Sequence, residues 1–349
     1  MSLLLAARAK RFGLRYVDVK ELCLKRRRKG DRFVYVDARG KPIRSKRVLA
    51  RIAALAVPPA WEEVCLADHP KAHIQAVGRD SEGRLQYRYN DDWVLIRDKI
   101  KAERLLRFGH ALPRIRAKIE KDLKRRGTGR RSAAAAASRL VDRALIRSGH
   151  SAEGIDDGGR GATTLLKRDV KLNGMSVALD FIGKGGKRIE ASVKDPTLLA
   201  RIRKLKSIGK KRLFAYRNTK GKVCYLTATD LNKYLRDAAG KRVTAKDFRT
   251  FAATSMALAE LAEIEVPESE AKVRKVLGGV MKDASERLAN TPAVARSSYV
   301  HPLVVETFEK GGLDPALVRG PCRQGLDQAE TALMRFLEER FADAKPALD

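Results

Sequence analysis

The chain has 349 residues, 44% of them hydrophobic, which suits two globular domains with cores of their own and excludes global disorder. Lys and Arg number 74 against 42 Asp and Glu, a net charge of +32 that calls for a polyanionic partner, nucleic acid being the commonest. No uninterrupted apolar run is long enough to span a bilayer, and the scattered Cys23, Cys65, Cys224 and Cys322 fit neither a disulfide scaffold nor zinc spacing.

The opening MSLLLAARAKRF places its apolar run ahead of any basic residue, the reverse of a secretory signal. A mature cytoplasmic chain with free thiols is the expectation. Arg32–Asp37 (RFVYVD) alternates as a strand does and runs into a Gly/Pro turn at Ala38–Pro42. Arg47–Ala56 reads as a short helix stopped by Val57-Pro58-Pro59. His73–Gly78 and Arg84–Tyr89, joined by Arg79–Gly83, form a second hairpin signal. Arg79, Arg84, Gln86, Tyr87 and Tyr89 give that hairpin side chains suited to groove and phosphate contacts on duplex DNA. Taken alone, a solvated hairpin face fits it equally well.

From Trp93 the period becomes helical. Trp93–Arg107, Arg114–Arg125 and the alanine-rich Arg131–Arg147 are the expected helices. A strand island follows: Thr163–Lys171, the Asn173-Gly174 loop, Val177–Ile182, the turn Gly183–Lys187 and Arg188–Val193. Helices resume near Asp195, with Thr229 and Thr244 as N-caps, and the last is an amphipathic stretch over Gln324–Ala342. The fold class expected is α+β: a small β-rich N-terminal domain over residues 1–92, and a mainly α-helical domain over 93–349 with a three-stranded antiparallel sheet.

No P-loop is present, so ATP is not implied, and no carboxylate cluster calls for Mg²⁺. His69 and His73 stand four apart, but Pro70 between them argues against a helical metal pair. Lys246 and Arg249 stand three apart at a helix start, one face of which would attract phosphate.

Four ordered pieces then carry a resemblance: Arg79-Asp80 with Gly83–Tyr89 (GRLQYRY), Gly183-Lys184, Thr244–Arg249 (TAKDFR) and Asn290–Pro302 (NTPAVARSSYVHP). From about Gly13 to about Gly312 the chain resembles the type IB DNA topoisomerases, in their poxvirus-like bacterial branch. The resemblance implies Tyr299 as the nucleophile that forms a 3′-phosphotyrosyl link. It implies Arg249 and Arg147 as clamps on the scissile phosphate, and Lys246 as a further phosphate contact. Lys184 would protonate the leaving 5′ oxygen, with Lys187 as a nearby rival. Asn290 stands where the poxvirus enzymes have histidine; it donates hydrogen bonds and does not titrate.

This chemistry needs cations. In-line attack on a phosphodiester adds negative charge in the transition state, and guanidinium forks hold it without a metal. The resemblance implies a monomer on double-stranded DNA at the nucleoid, with neither cofactor nor membrane. A departure lies after Arg147, where residues 148–162 lack the family's tyrosine and asparagine and bring Asp156 and Asp157 instead. A tyrosine recombinase shares the Arg, Lys, Tyr set, but typically carries H-x-x-R where this chain has Lys246–Arg249 (KDFR). A catalytically weakened DNA-binding paralogue is the third reading, and the loop after Arg147 is what favours it.

Overall fold

The structure, a computed structural model, describes residues 2–149 and 159–341. The chain divides into two compact units, Met1–Lys101 and Ala102–Asp349, so the division falls inside a helix that the sequence starts at Trp93.

The first unit opens with α1 (Ser2–Arg11), followed by β1 (Leu24–Lys29), β2 (Arg32–Val36), α2 (Lys46–Ala54), β3 (Glu62–Leu66), β4 (Ile74–Arg79) and β5 (Leu85–Tyr89). The strands form one antiparallel sheet in the order β2-β1-β3-β4-β5. Ile52 of α2 packs with Leu24, Val64, Leu66 and Ala76 in one cluster, while Leu22, Ala67, Ala72, Ile74 and Val77 form another. β1 and β3 were not expected. β1 reads LKRRRK, and only Leu24 of it is buried. Its pairing with β2 holds it, together with Arg26, whose guanidinium lies 4.2 Å from the Phe33 ring centroid and donates to the Pro58 carbonyl (3.1 Å). The histidines serve the backbone. His69 Nδ1 accepts from the Lys71 N–H (3.0 Å), and buried His73 accepts from Val17 N–H (3.1 Å) while stacking on Tyr16.

Asp91–Lys124 is one helix, α3, in which Pro113 is accommodated, so the two helical stretches read from the sequence run together. In the second unit come α4 (Arg130–Ala144), β6 (Val170–Asn173), β7 (Ser176–Ile182), β8 (Arg188–Lys194), α5 (Pro196–Lys206), β9 (Ala215–Arg217) and β10 (Val223–Tyr225). Then follow α6 (Ala228–Ala239), α7 (Ala245–Ala262), α8 (Glu270–Arg287), α9 (Pro292–Ser298), α10 (Pro302–Glu309), α11 (Ala316–Arg319) and α12 (Gln328–Phe341). The expected antiparallel sheet is β6-β7-β8, but it begins at Val170; residues 162–169 form two 3₁₀ turns instead. The N-cap of α6 is Thr227, not Thr229: its hydroxyl accepts from the Asp230 N–H (3.1 Å).

The alanine run fills a purpose. Ala133–Ala137 are all buried, and their small side chains let the elements around α4 approach closely. Gly109 on α3 does the same at one point: a Cβ there would stand 2.1 Å from Met334 Sδ of α12 and 2.9 Å from the Phe251 ring of α7. α12 drives Ala332, Leu333, Met334, Phe336 and Leu337 into this core, chiefly against α7.

Candidate active site

Helix ends build the site. α4 terminates at Leu145, which has left-handed backbone angles (φ 51°, ψ 28°) although it is not glycine. The turn beyond α8 reverses at Ala289 (φ 48°). Each such residue costs roughly 1–2 kcal/mol, so the surrounding packing must enforce it. The first reversal delivers Arg147, the second delivers Asn290.

Arg249, buried near the start of α7, ties the two ends together. Its fork donates to the Leu145 carbonyl through one terminal nitrogen and to the Leu288 carbonyl through the other (2.9 Å). Its Nε donates to the Tyr299 hydroxyl (3.3 Å), and its carbon lies 4.9 Å from the centre of that ring. Carbonyls at helix C-termini carry partial negative charge, which makes them fitting partners for a cation with no carboxylate beside it. Of five guanidinium N–H groups, these bonds take three and leave two over.

Tyr299 caps α9 and is only 5% exposed. Its carbonyl accepts from the Thr254 hydroxyl (3.0 Å), and Thr254 Oγ1 in turn accepts from the His301 N–H (3.2 Å). Thr254, on α7 like Arg249, therefore fixes the main chain around the phenol. Burial pushes the phenol pKa up, but Arg249, by charge and hydrogen bond, then Arg147 and Lys246 outweigh it, so the net direction is down. Burial pulls the Arg249 pKa down as well, and the facing Tyr299 opposes that.

Arg147 donates to Asn290 Oδ1 (2.8 Å), which turns the amide so that its Nδ2 is buried with no partner among the described residues. An orphaned buried donor beside two arginines suits an anionic oxygen. Lys187 Nζ donates to the Asn290 carbonyl (2.6 Å). Both lysines lie on the β7–β8 turn, which Gly183 N–H closes on the Lys187 carbonyl (2.7 Å), with Gly185 and Gly186 in left-handed conformation. Lys184 is exposed on that turn and makes no hydrogen bond or ion pair among the described residues. Thus Tyr299, Arg147, Arg249 and Asn290 come together with Lys187, while Lys184 does not touch them.

Lys246 is exposed one turn before Arg249. Between them, buried Asp247 accepts from Thr244 N–H (2.7 Å) and from Arg104 of α3 (2.9 Å). Arg104, Thr254 and Lys187 carry no local sequence signal for these contacts, since each reaches across more than 40 residues. His301 N-caps α10, its Nδ1 accepting from Leu303 N–H (3.1 Å).

Asp156 and Asp157 lie outside the described residues. What is described of their loop closes tightly: Ala162 N–H donates to the Arg147 carbonyl (2.7 Å), and a Cβ on Gly161 would stand 2.5 Å from Gly149 N. No group of three His, Cys, Asp or Glu among the described residues is arranged to hold a metal ion.

In the first unit, the β4–β5 hairpin holds its cations differently. Arg79 pairs with Glu63 (2.8 Å), and Arg84 and Gln86 both donate to Asp80 (2.9 and 2.8 Å). Tyr87 and Tyr89 stack with centroids 5.7 Å apart, and Tyr87 is exposed.

Residues 92–310 match the family described as "Eukaryotic DNA topoisomerase I, catalytic core", and residues 32–80 match "Bacterial DNA topoisomerase IB, N-terminal domain". The chain belongs to the type IB DNA topoisomerase family. The DNA topoisomerase 1B of Acanthamoeba polyphaga mimivirus is 29% identical over 291 residues, 81% of this chain and 87% of that relative. The α+β class read from the sequence is that of the type IB fold, and the N-terminal match places the chain with the bacterial form. No helix among the described residues is long and apolar enough to cross a membrane.

Proposed function

We propose that this type IB topoisomerase relaxes supercoiled duplex DNA as a monomer at the nucleoid, using neither ATP nor a metal. Tyr299 is the nucleophile. It gives up its phenolic proton to solvent, its oxygen bonds to phosphorus, the bond from phosphorus to O5′ breaks, and a 3′-phosphotyrosyl link and a free 5′-hydroxyl result. Lys184 gives the proton that O5′ needs, and religation runs the same steps backwards. Arg249, Arg147 and the free amide N–H groups of Asn290 hold the charge that builds on the nonbridging oxygens. Lys246 adds a phosphate contact, and Arg79, Arg84, Gln86, Tyr87 and Tyr89 meet the duplex from the hairpin. Residues 1–92 form the DNA-gripping domain in this reading, and residues 93–349 the catalytic one.

The observation that carries the reading is the 3.3 Å contact between Arg249 Nε and the Tyr299 hydroxyl, within a buried site whose neighbouring donor on Asn290 is unfilled. The test is relaxation of positively and negatively supercoiled plasmid in EDTA without ATP. Wild type is expected to relax both. Tyr299→Phe is expected to relax neither, to leave no covalent adduct, and to bind duplex within about twofold of wild type. Binding without relaxation by wild type would move the weakened-paralogue reading ahead.

A further inference from the structure

α4 has a second end, remote from Arg147. The connection from α3 reads Lys124-Arg-Arg-Gly-Thr-Gly-Arg-Arg-Ser132, with four arginines in seven residues. Arg125, Arg126, Arg130 and Arg131, with Gly129 and Ser132, line an open hollow of ≈270 Å³. No carboxylate lines it.

Three features of the hollow point to an anion. First, α4 starts without a capping side chain: Gly129 is the N-cap, and the first main-chain bond is Ala133 N–H to Gly129 O (3.1 Å). The N–H groups of Arg130, Arg131 and Ser132 are therefore left over at the positive end of a 15-residue helix. Second, Ser132 is only 5% exposed, and its Oγ has no hydrogen-bond partner among the described residues. A buried hydroxyl left unmade is costly and needs an explanation. Third, the cations are not all spent. Arg130 pairs with Asp230 (3.0 Å) and Arg125 lies 3.9 Å from Asp122, but Arg126 and Arg131 have no ion pair among the described residues.

The loop is also held in place from behind. Buried Arg201 of α5 donates to the carbonyls of Leu123 (3.0 Å), Arg125 and Gly127. Those carbonyls are thus drawn to Arg201 and do not compete for the hollow. What remains is a set rich in donors: helix N–H groups, one hydroxyl, and two guanidinium forks with no ion pair among the described residues. Several donors lining one hollow match a tetrahedral oxyanion.

We propose that the N-terminus of α4 is a phosphate-binding site separate from the catalytic centre. At 1.5 Å per residue, α4 puts it about 22 Å from the Leu145 corner, so it cannot hold the scissile phosphate. The group it takes is a phosphoryl anion, supplied either by the backbone of duplex DNA or as free phosphate.

The test uses the full chain labelled with ¹⁵N. Inorganic phosphate is titrated at constant ionic strength, with chloride as the balancing anion. The expected result is a saturable shift of the Arg131 and Ser132 amide resonances that chloride does not reproduce. Ser132→Ala, which changes no charge, should weaken phosphate several-fold, and Arg126→Ala with Arg131→Ala about tenfold or more. Duplex DNA is then added. If it moves the same amides and blocks phosphate, the DNA backbone is the source; if it leaves them unmoved, free phosphate is. Amide shifts that follow ionic strength whatever the anion, or an unaltered phosphate affinity in Ser132→Ala with its fold intact by circular dichroism, would overturn the site.

Discussion

The cations at the helix ends of the second unit and those on the β4–β5 hairpin of the first are held in opposite ways. Arg249 is buried and bonded to main-chain carbonyls and a phenol. Arg79 and Arg84 are exposed and paired with the carboxylates of Glu63 and Asp80. Carbonyls carry no net charge, so the Arg249 charge is not neutralised by these partners. The hairpin arginines must first give up an acid. In the proposed reaction, the first arrangement would be set before DNA arrives and serve a transition state, and the second would exchange partners and tune affinity.

The sharpest way to break that contrast is Arg249→Ala. Loss of one preorganised donor set should slow single-turnover cleavage by about 10²–10³-fold. It should also lower the melting temperature, because two buried carbonyls lose their donor at about 1–3 kcal/mol each. A variant that melts like wild type would mean the carbonyl bonds are dispensable. Lys187→Ala comes next. If the Asn290 contact docks the lysine turn on the site, cleavage should fall by about tenfold, and a 5′-thiolate leaving group should restore it, since the loss acts through Lys184. Failure of the thiolate to rescue would assign Lys187 a purely structural part.

The hairpin should respond in a different currency. Asp80→Asn should tighten duplex binding by a few-fold and steepen its salt dependence by about one phosphate contact, with cleavage at saturation unchanged. Partial desolvation favours protonated Asp80, but hydrogen bonds from Arg84, Gln86 and Glu82 outweigh it and hold its pKa at about 2. The carboxylate is therefore charged throughout pH 5–9, and the effect of the substitution should be flat across that range. Lys246→Ala is the smallest expected change. Removing one of the cations that lower the Tyr299 pKa moves that pKa up, so cleavage at neutral pH should drop modestly and recover as pH rises. A loss that persists at high pH would place Lys246 on phosphate alone.

Legibility in the sequence divides along similar lines. The β4–β5 hairpin, the Asn173-Gly174 hairpin and the alanine helix were readable because each depends on local period and turn chemistry. β1 was not, since LKRRRK has no alternation and its stability comes from partners in β2 and β3. β9 and β10, three residues each, are too short to show a period. At the site, the resemblance supplied residue types, and the structure added what binds them. Arg249 on two carbonyls, Asn290 turned by Arg147, Thr254 on the Tyr299 carbonyl and Lys187 on Asn290 are all contacts between distant segments. The left-handed Leu145 and Ala289 left no trace either, because neither residue type announces that conformation.

The helix crossing at Gly109 has a consequence for the order of events during synthesis. Every residue assigned to the cutting chemistry precedes α12 in the chain, yet α7, which carries Arg249, has its apolar flank covered by Met334 and its neighbours. While α12 is still inside the ribosome, the catalytic unit lacks that wall, and Arg249 stands on a helix not yet packed into place. If Tyr299 cuts DNA as proposed, that capacity would follow only once α12 has packed on α7. On the reading proposed above, a chain stopped before Gln328 should therefore carry both Tyr299 and Arg249 and yet fail to cut.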